Sequence, residues 1–277
     1  MALADRFAGS LLGLALGDAI GAHYEGGVAG ALVWRTLGHG SGRELRWTDD
    51  TQMALGLAAS LAERDGLDED HVAARWAADC DWRRGYGAGA RRLLAAIREG
   101  ADWREANRRF FPDGSFGNGA AMRAAPIGLF FHDDADARDA AAIAQSVITH
   151  AHPLGIEGSR LIAAAVAHAV TGGDPAAFAW DSEHPEYGPV DPDRLGNSVL
   201  AHQSAPTAVH IAGRFADRPF DEMMAFVIKL GGDTDTIGAM AGGIWGAWRG
   251  CGDLPKESLA LLEARERIES AARALLT

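Results

Sequence analysis

Two short segments carry the side chains best able to do chemistry. In Trp47-Thr48-Asp49-Asp50-Thr51, two adjacent carboxylates lie between two hydroxyls, just ahead of an apolar run. Near the other end of the chain, Gly231-Gly232-Asp233-Thr234-Asp235-Thr236 also carries two carboxylates and two hydroxyls. Each segment opens a predicted helix, with Thr48 as a natural N-cap and acidic residues in the first turn, where the helix dipole favours anions. One such segment alone reads as a well-capped helix. Two of them, with hydroxyls interleaved and glycines giving access to the backbone, point to a shared site. If they converge, four carboxylates repel one another unless divalent cations neutralise them. Oxygen donors select magnesium, calcium or manganese over zinc, since no His or Cys stands at ligand spacing. Two ions about 3.5–4 Å apart suit a set of this kind.

The elements that must position these segments read as helices almost throughout. Alanine and leucine recur three and four apart, and alternating β-branched runs are few. The periodicity predicts helices over 5–21, 49–64, 69–79, 87–99, 120–131, 135–149, 157–170, 205–215, 220–230, 234–250 and 256–275. The expected fold is all-α: a single compact domain of orthogonal helices over residues 1–277, holding a dinuclear metal cleft. Glycine is abundant, 35 in all. Gly238, Gly242, Gly243 and Gly246 fall inside a helix, where each costs about 1 kcal/mol relative to Ala, so close packing against a neighbouring helix is the expected compensation. Other glycines punctuate the loops 85–89 and 114–119, where the backbone can approach a ligand. Residues 171–197 are rich in Pro, Gly and acidic residues and read as a long surface loop. Trp245, Trp248, Met122 and Met240 read as core.

Bulk properties narrow the function. A formal charge of -12 argues against general nucleic-acid binding, which rests on Lys and Arg neutralising phosphates. Cys80 and Cys251 are too few and too far apart for a disulfide framework, which suggests a reducing compartment. The small-residue stretch 7–22 lacks a basic leader and is interrupted by Asp18, and no run reaches about 18 uncharged apolar residues. A cytoplasmic protein without membrane attachment is expected. With no heptad pattern, a monomer is expected as well.

The blocks Gly17-Asp18-Ala19-Ile20-Gly21-Ala22-His23-Tyr24-Glu25, Trp47-Thr48-Asp49-Asp50-Thr51, Ser115-Phe116-Gly117-Asn118-Gly119-Ala120-Ala121-Met122-Arg123, Thr149-His150-Ala151 and Gly231–Thr236 together resemble the ADP-ribosylglycohydrolase family. They fall in the family's order and span almost the whole chain. Tyr24-Glu25, the loop 84–89, Leu195-Gly196-Asn197 and Ser204–Ala208 look closest to the branch that removes serine-linked ADP-ribose and degrades poly(ADP-ribose). The resemblance implies that Thr48, Asp49, Asp50 and Asp235 hold one Mg²⁺ and that Asp233, Asp235 and Thr236 hold the other, with Asp235 bridging and Mn²⁺ an alternative ion. Glu25, by itself a solvated carboxylate beside a glycine turn, matches the family's mobile acidic residue. That residue can approach the second metal and serves in acid–base chemistry, so Glu25, Asp49 and Asp235 form the expected catalytic set.

The same resemblance implies an ADP-ribose pocket. Phe110 and Phe116 would sandwich adenine, Ser115, Gly117 and neighbouring backbone N–H groups would hold the diphosphate, and Gly114 and Gly87 would also border the ligand. Asn118 would orient the glycine loop, and His150 would contact diphosphate or ribose. Asp18 is a helix-terminal or supporting residue, and His152 has no assigned role. The expected partner is ADP-ribose or an ADP-ribosylated protein, and the expected reaction is hydrolysis at the anomeric carbon through an oxocarbenium-like state. Arginine-linked substrates, a crystallin-like structural role and an ADP-ribose reader are the alternatives.

Overall fold

The fold is described by a computed structural model covering residues 1–25 and 44–276. Among these residues, regular structure is helical: α1 (Leu3–Gly21), α2 (Asp49–Arg64), α3 (Glu69–Asp79), α4 (Ala88–Arg98), α5 (Trp103–Phe110), α6 (Ala125–Phe130), α7 (Ala135–Val147), α8 (Pro153–Val170), α9 (Ala201–Arg214), α10 (Phe220–Leu230), α11 (Thr234–Arg249), α12 (Lys256–Leu261) and α13 (Arg265–Ala274). The only β-type pairings among the described residues are two isolated bridges, Leu45 with Leu262 and Gly117 with Leu200. None of the described helices is long and apolar enough to cross a membrane.

At the centre, α1 and α11 run antiparallel with their backbones in contact. Gly9, Gly13, Gly17 and Gly21 form a stripe four residues apart on α1, and Gly246, Gly242, Gly238 and Thr234 answer it on α11. A Cβ at Gly17 would lie 2.1 Å from the Gly238 carbonyl oxygen, and one at Gly13 would lie 2.3 Å from that of Gly242. No side chain fits there, so the helix-interior glycines offset their propensity cost by letting two whole backbones meet. Ser10 Oγ donates to Gly243 O at 2.9 Å and Thr234 Oγ1 to Gly21 O at 2.8 Å, which fixes the register along the contact. The outer faces of this pair are covered by α8, α9, α10 and α13. Hence α1 buries 13 of its residues and shows no polar stripe.

The predicted helices differ from the observed ones where a local signal outweighed periodicity. Helix α5 carries no periodic signal because WREANRRF has no continuous apolar stripe, although Asp102 caps it through the Arg104 and Glu105 N–H groups. The predicted 120–131 helix is instead a 3₁₀ turn at Asn118–Ala120 followed by α6, whose first turn contains Pro126, where a missing N–H costs nothing. The predicted 256–275 helix is broken at Leu262–Ala264. There Leu45 accepts from Glu263 N and donates to Leu261 O, and Ala264 takes a left-handed φ of 51°. Helix α8 starts four residues early, at Pro153, because the His152 imidazole accepts from Leu154 N and caps it. Trp245 is core as expected, 1 % exposed with Nε1 donating to Phe215 O.

Gly17→Ala is expected to destabilise the protein by about 3 kcal/mol or more, because the clash is with backbone and no rotamer change relieves it. Gly252→Ala, where a Cβ would meet nothing within 4 Å, is expected to stay within about 0.5 kcal/mol of wild type. Urea denaturation of the two variants tests the contact, and equal stability would disprove it.

Candidate functional site

The tight α1–α11 contact sets the C-terminal end of α1 against the N-terminus of α11, and Asp18 makes the next connection. This carboxylate, 0 % exposed on α1, accepts from the backbone N–H groups of Thr48 and Thr51 at 3.0 Å and from Thr51 Oγ1 at 2.5 Å. The free N–H groups that open α2 are therefore met by an acid thirty residues away as well as by Thr48. Thr48 Oγ1 accepts from Asp50 N at 3.3 Å and donates to Asp50 Oδ2 at 3.0 Å. Asp50 Oδ1 is buried without a partner.

At the start of α11, Asp233, Asp235 and Thr236 are nearly buried. Asn118 Nδ2 donates to Asp233 Oδ2 at 2.6 Å and to Ser204 Oγ at 3.0 Å, so Asn118 orients a carboxylate. Asp233 N donates to Asn197 O, and Thr236 N to Asp235 Oδ1. Glu25, in the turn after α1, reaches the same point: one oxygen each from Glu25, Asp233 and Asp235 lie within 4.8 Å of one another. The loop after α3 closes the opposite wall. Arg84 stacks 3.5 Å from the Trp47 ring centroid, donates to Trp47 O and forms a bidentate pair with Glu263. That brace holds Gly85, at φ 91°, beside Asp49, whose Oδ1 would lie 3.4 Å from a Cβ at Gly85.

The electrostatics follow from this crowding. Burial, then the charge of Asp18, pushes Asp49 up to about 8. Burial raises Asp18 to about 6 despite its hydrogen bonds from Thr51 and Thr48. Burial and neighbouring carboxylates hold Asp50 and Asp235 well above the usual range, and burial with the charge of Asp233 raises Glu25. Protein groups alone leave this cluster over-supplied with negative charge. Its donors are all hard oxygens, and Asp50 Oδ1 lacks a proton donor, so the residues fit a divalent cation.

A cavity of about 340 Å³ opens beside the cluster and is walled by all three acidic segments. Glu25, Asp49, Asp50, Asp233, Asp235 and Thr236 line it, as do Gly87, Ser115, Gly117, Asn118 and His150 from the predicted pocket. Three other predicted pocket residues lie outside the lining. Gly114 is pressed at φ 76° against the Ala151–His152 backbone, and Phe116, 43 % exposed, meets His152 edge-on at 5.2 Å. Phe110 ends α5 beneath Arg92 and Arg109. The aromatic ring in the wall is Phe111, seated over Gly89, where a Cβ would lie 2.5 Å from Phe111 Cζ. Met122, read as core, also lines the cavity, as do Arg123 and Thr149, to which the sequence assigned no role. Neighbouring phenylalanines cannot be told apart by periodicity, and a buried arginine has no sequence signature. A larger cavity of about 590 Å³ beneath the 171–197 loop shares none of these residues.

An all-helical fold thus gathers buried carboxylates beside a cavity of ligand size, the setting of a small-molecule site. The ADP-ribosylglycohydrolase family model matches residues 1–277. The chain is 32% identical to the zebrafish (Danio rerio) protein ADP-ribosylhydrolase ARH3, with 98% of this chain and 90% of that one covered. To the Homo sapiens protein of the same name it is 30% identical, with 98% and 93% covered. To the ADP-ribosyl-[dinitrogen reductase] glycohydrolase of Rhodospirillum rubrum it is 28% identical, with 94% and 91% covered. A solved structure described as an ADP-ribosylglycohydrolase-related protein complex superposes with a TM-score of 0.75 at 30% identity, covering 99% of this chain and 97% of that one. The chain belongs to the ADP-ribosylglycohydrolase family and is a glycohydrolase enzyme.

The raised carboxylates fix the sign of a pH effect. An acid whose folded-state pKa lies above its unfolded value binds more protons when folded, so stability falls as pH rises between the two values. For Asp49 that window runs from its ordinary 3.8 to about 8. The thermal midpoint of metal-free protein is expected to fall from pH 5 to pH 8, and magnesium added at pH 8 is expected to restore it. Asp50→Asn should flatten both responses. A metal-free midpoint that rises over this range by differential scanning fluorimetry would contradict the electrostatics described.

Proposed function

We propose that the chain hydrolyses the glycosidic bond between ADP-ribose and a protein side chain, using two magnesium ions, with manganese able to substitute. The observation that carries this reading is the meeting of Glu25, Asp233 and Asp235 oxygens within 4.8 Å at the edge of a cavity walled by a glycine loop and Phe111. Thr48, Asp49, Asp50 and Asp235 would hold one ion, and Asp233, Asp235 and Thr236 would hold the other. Ions held there would supply Lewis-acid chemistry to the ribose hydroxyls and to the attacking water.

The remaining work belongs to side chains. Asn118 holds Asp233 in one orientation through a 2.6 Å hydrogen bond, so that carboxylate need not reorganise during turnover. Asp18 keeps the first turn of α2, and with it Asp49 and Asp50, against the start of α11. Glu25 is the acid–base residue. Its carboxyl is raised by burial and by Asp233, so it holds its proton to higher pH than a free glutamate and can pass it to the departing oxygen. Phe111 offers a ring face on which adenine can stack. Similarity of the 84–89, 195–197 and 204–208 segments to the serine-directed branch favours O-linked ADP-ribose, with poly(ADP-ribose) as a second substrate and an intracellular setting.

Serine-linked, arginine-linked and polymeric ADP-ribose supplied side by side, with and without magnesium, test the assignment. Release of ADP-ribose from the serine-linked substrate should be fastest and should require the metal. No release from any of the three with magnesium or manganese would sink the proposal. Glu25→Gln is expected to keep ADP-ribose binding while turnover falls about 10²–10⁴-fold. Asp235→Asn should lose metal occupancy, ligand affinity and rate together. Phe111→Ala is expected to weaken ADP-ribose by about 1–3 kcal/mol in calorimetry, against a smaller loss for Phe110→Ala.

A further inference from the structure

We infer that Arg123 and Thr149 are positioning residues that lock His150 in the neutral tautomer with its proton on Nε2, aimed into the cavity as a donor to a ligand oxygen. Arg123 is 1 % exposed and its guanidinium lies 3.8 Å from the Trp76 ring centroid. Its Nε donates to Gln145 Oε1 at 2.7 Å, and its Nη2 to Gln145 O at 3.0 Å and to Thr149 Oγ1 at 2.9 Å. The Gln145 amide cannot turn around, because its Nε2 donates to Ala120 O and to Ser159 Oγ. The guanidinium is thus held in one pose and can only donate.

Thr149 Oγ1 must therefore accept from Arg123, and its own hydroxyl proton, buried at 1 % exposure, needs an acceptor. That acceptor is His150 Nδ1, 2.7 Å away. A proton on Nδ1 would strand the hydroxyl proton of Thr149, so the ring carries its proton on Nε2. Burial and the nearby charge of Arg123 also disfavour the imidazolium and take His150 down to about 3. Among the described residues no hydrogen bond reaches Nε2. It faces Gly119 and Gly117, where a Cβ would lie 2.8 Å and 3.4 Å from it, and both glycines line the cavity. The opposite tautomer would turn a lone pair toward the ligand, so the relay selects oxygens that only accept, such as those of a diphosphate. This assignment deepens the ADP-ribose reading and rests on it for the identity of the ligand.

Long-range ¹H–¹⁵N spectra of the imidazoles in the full-length protein test the relay, with the His150 signal identified by its loss in His150→Gln. Wild type should show one neutral Nε2–H form from pH 5.5 to 8. Thr149→Val should mix the tautomers and weaken ADP-ribose roughly tenfold, about one hydrogen bond, while Thr149→Ser restores both. An Nδ1–H form in wild type would overturn the relay without any variant having to fold. A folded Thr149→Val with wild-type tautomer and affinity would overturn it as well. Wild type that holds the Nε2–H form yet takes no ADP-ribose would support the relay and remove the substrate reading.

Discussion

The backbone contact between α1 and α11 is the constraint on which the rest of the structure depends. Because Gly9, Gly13 and Gly17 face Gly246, Gly242 and Gly238, the helices approach as closely as two backbones can, and their relative translation is set by steps of one turn. A side chain at any of these positions would push the pair apart. The end of α1, bearing Asp18 and leading to Glu25, would then leave the start of α11, bearing Asp233 and Asp235. Glycine is a poor helix former, so the contact is made at a cost in local propensity and recovered in tertiary packing. The chemistry at one end of the pair thus depends on small residues along its whole length.

From that contact the site is assembled by polar groups with one permitted arrangement. Asp18 reaches from α1 to the open N–H groups of α2, which brings Asp49 and Asp50 to the same end of the molecule as α11. Asn118 reaches from the glycine loop to Asp233, joining the cavity wall to the acidic cluster. Arg84, stacked on Trp47 and paired with Glu263, keeps the 85–87 turn against Asp49. Each link ties two segments far apart in sequence, and each is mostly buried, so losing one partner would leave the other unsatisfied.

The acidic cluster is built against its own electrostatics. Five carboxylates are held above their usual range, and no lysine or arginine forms an ion pair with them among the described residues. The cation nearest in role, Arg123, is committed to Gln145 and Thr149 and serves the other side of the cavity. A protein gains nothing in stability from such an arrangement. Its sense lies in the ligand it admits, because divalent cations turn mutual repulsion into coordination.

Residue order alone carried the helical class, the capped and acidic start of α2, the acidic start of α11 and the glycine loops, because periodicity, capping and backbone freedom are local properties. It also carried the family, through motifs whose order survives in one chain. It did not determine that the two acidic starts meet, since convergence depends on α1 packing against α11 and on Asp18 bridging thirty residues. Helix α5 has too few apolar residues to make a stripe, and which of the adjacent Phe110 and Phe111 faces the cavity depends on how the end of that helix packs. Arg123, Thr149 and Met122 stood within or beside quoted motifs, yet their work was invisible there. What an arginine stacked on Trp76 and bonded to Gln145 does is settled by partners that only the packed interior brings within reach.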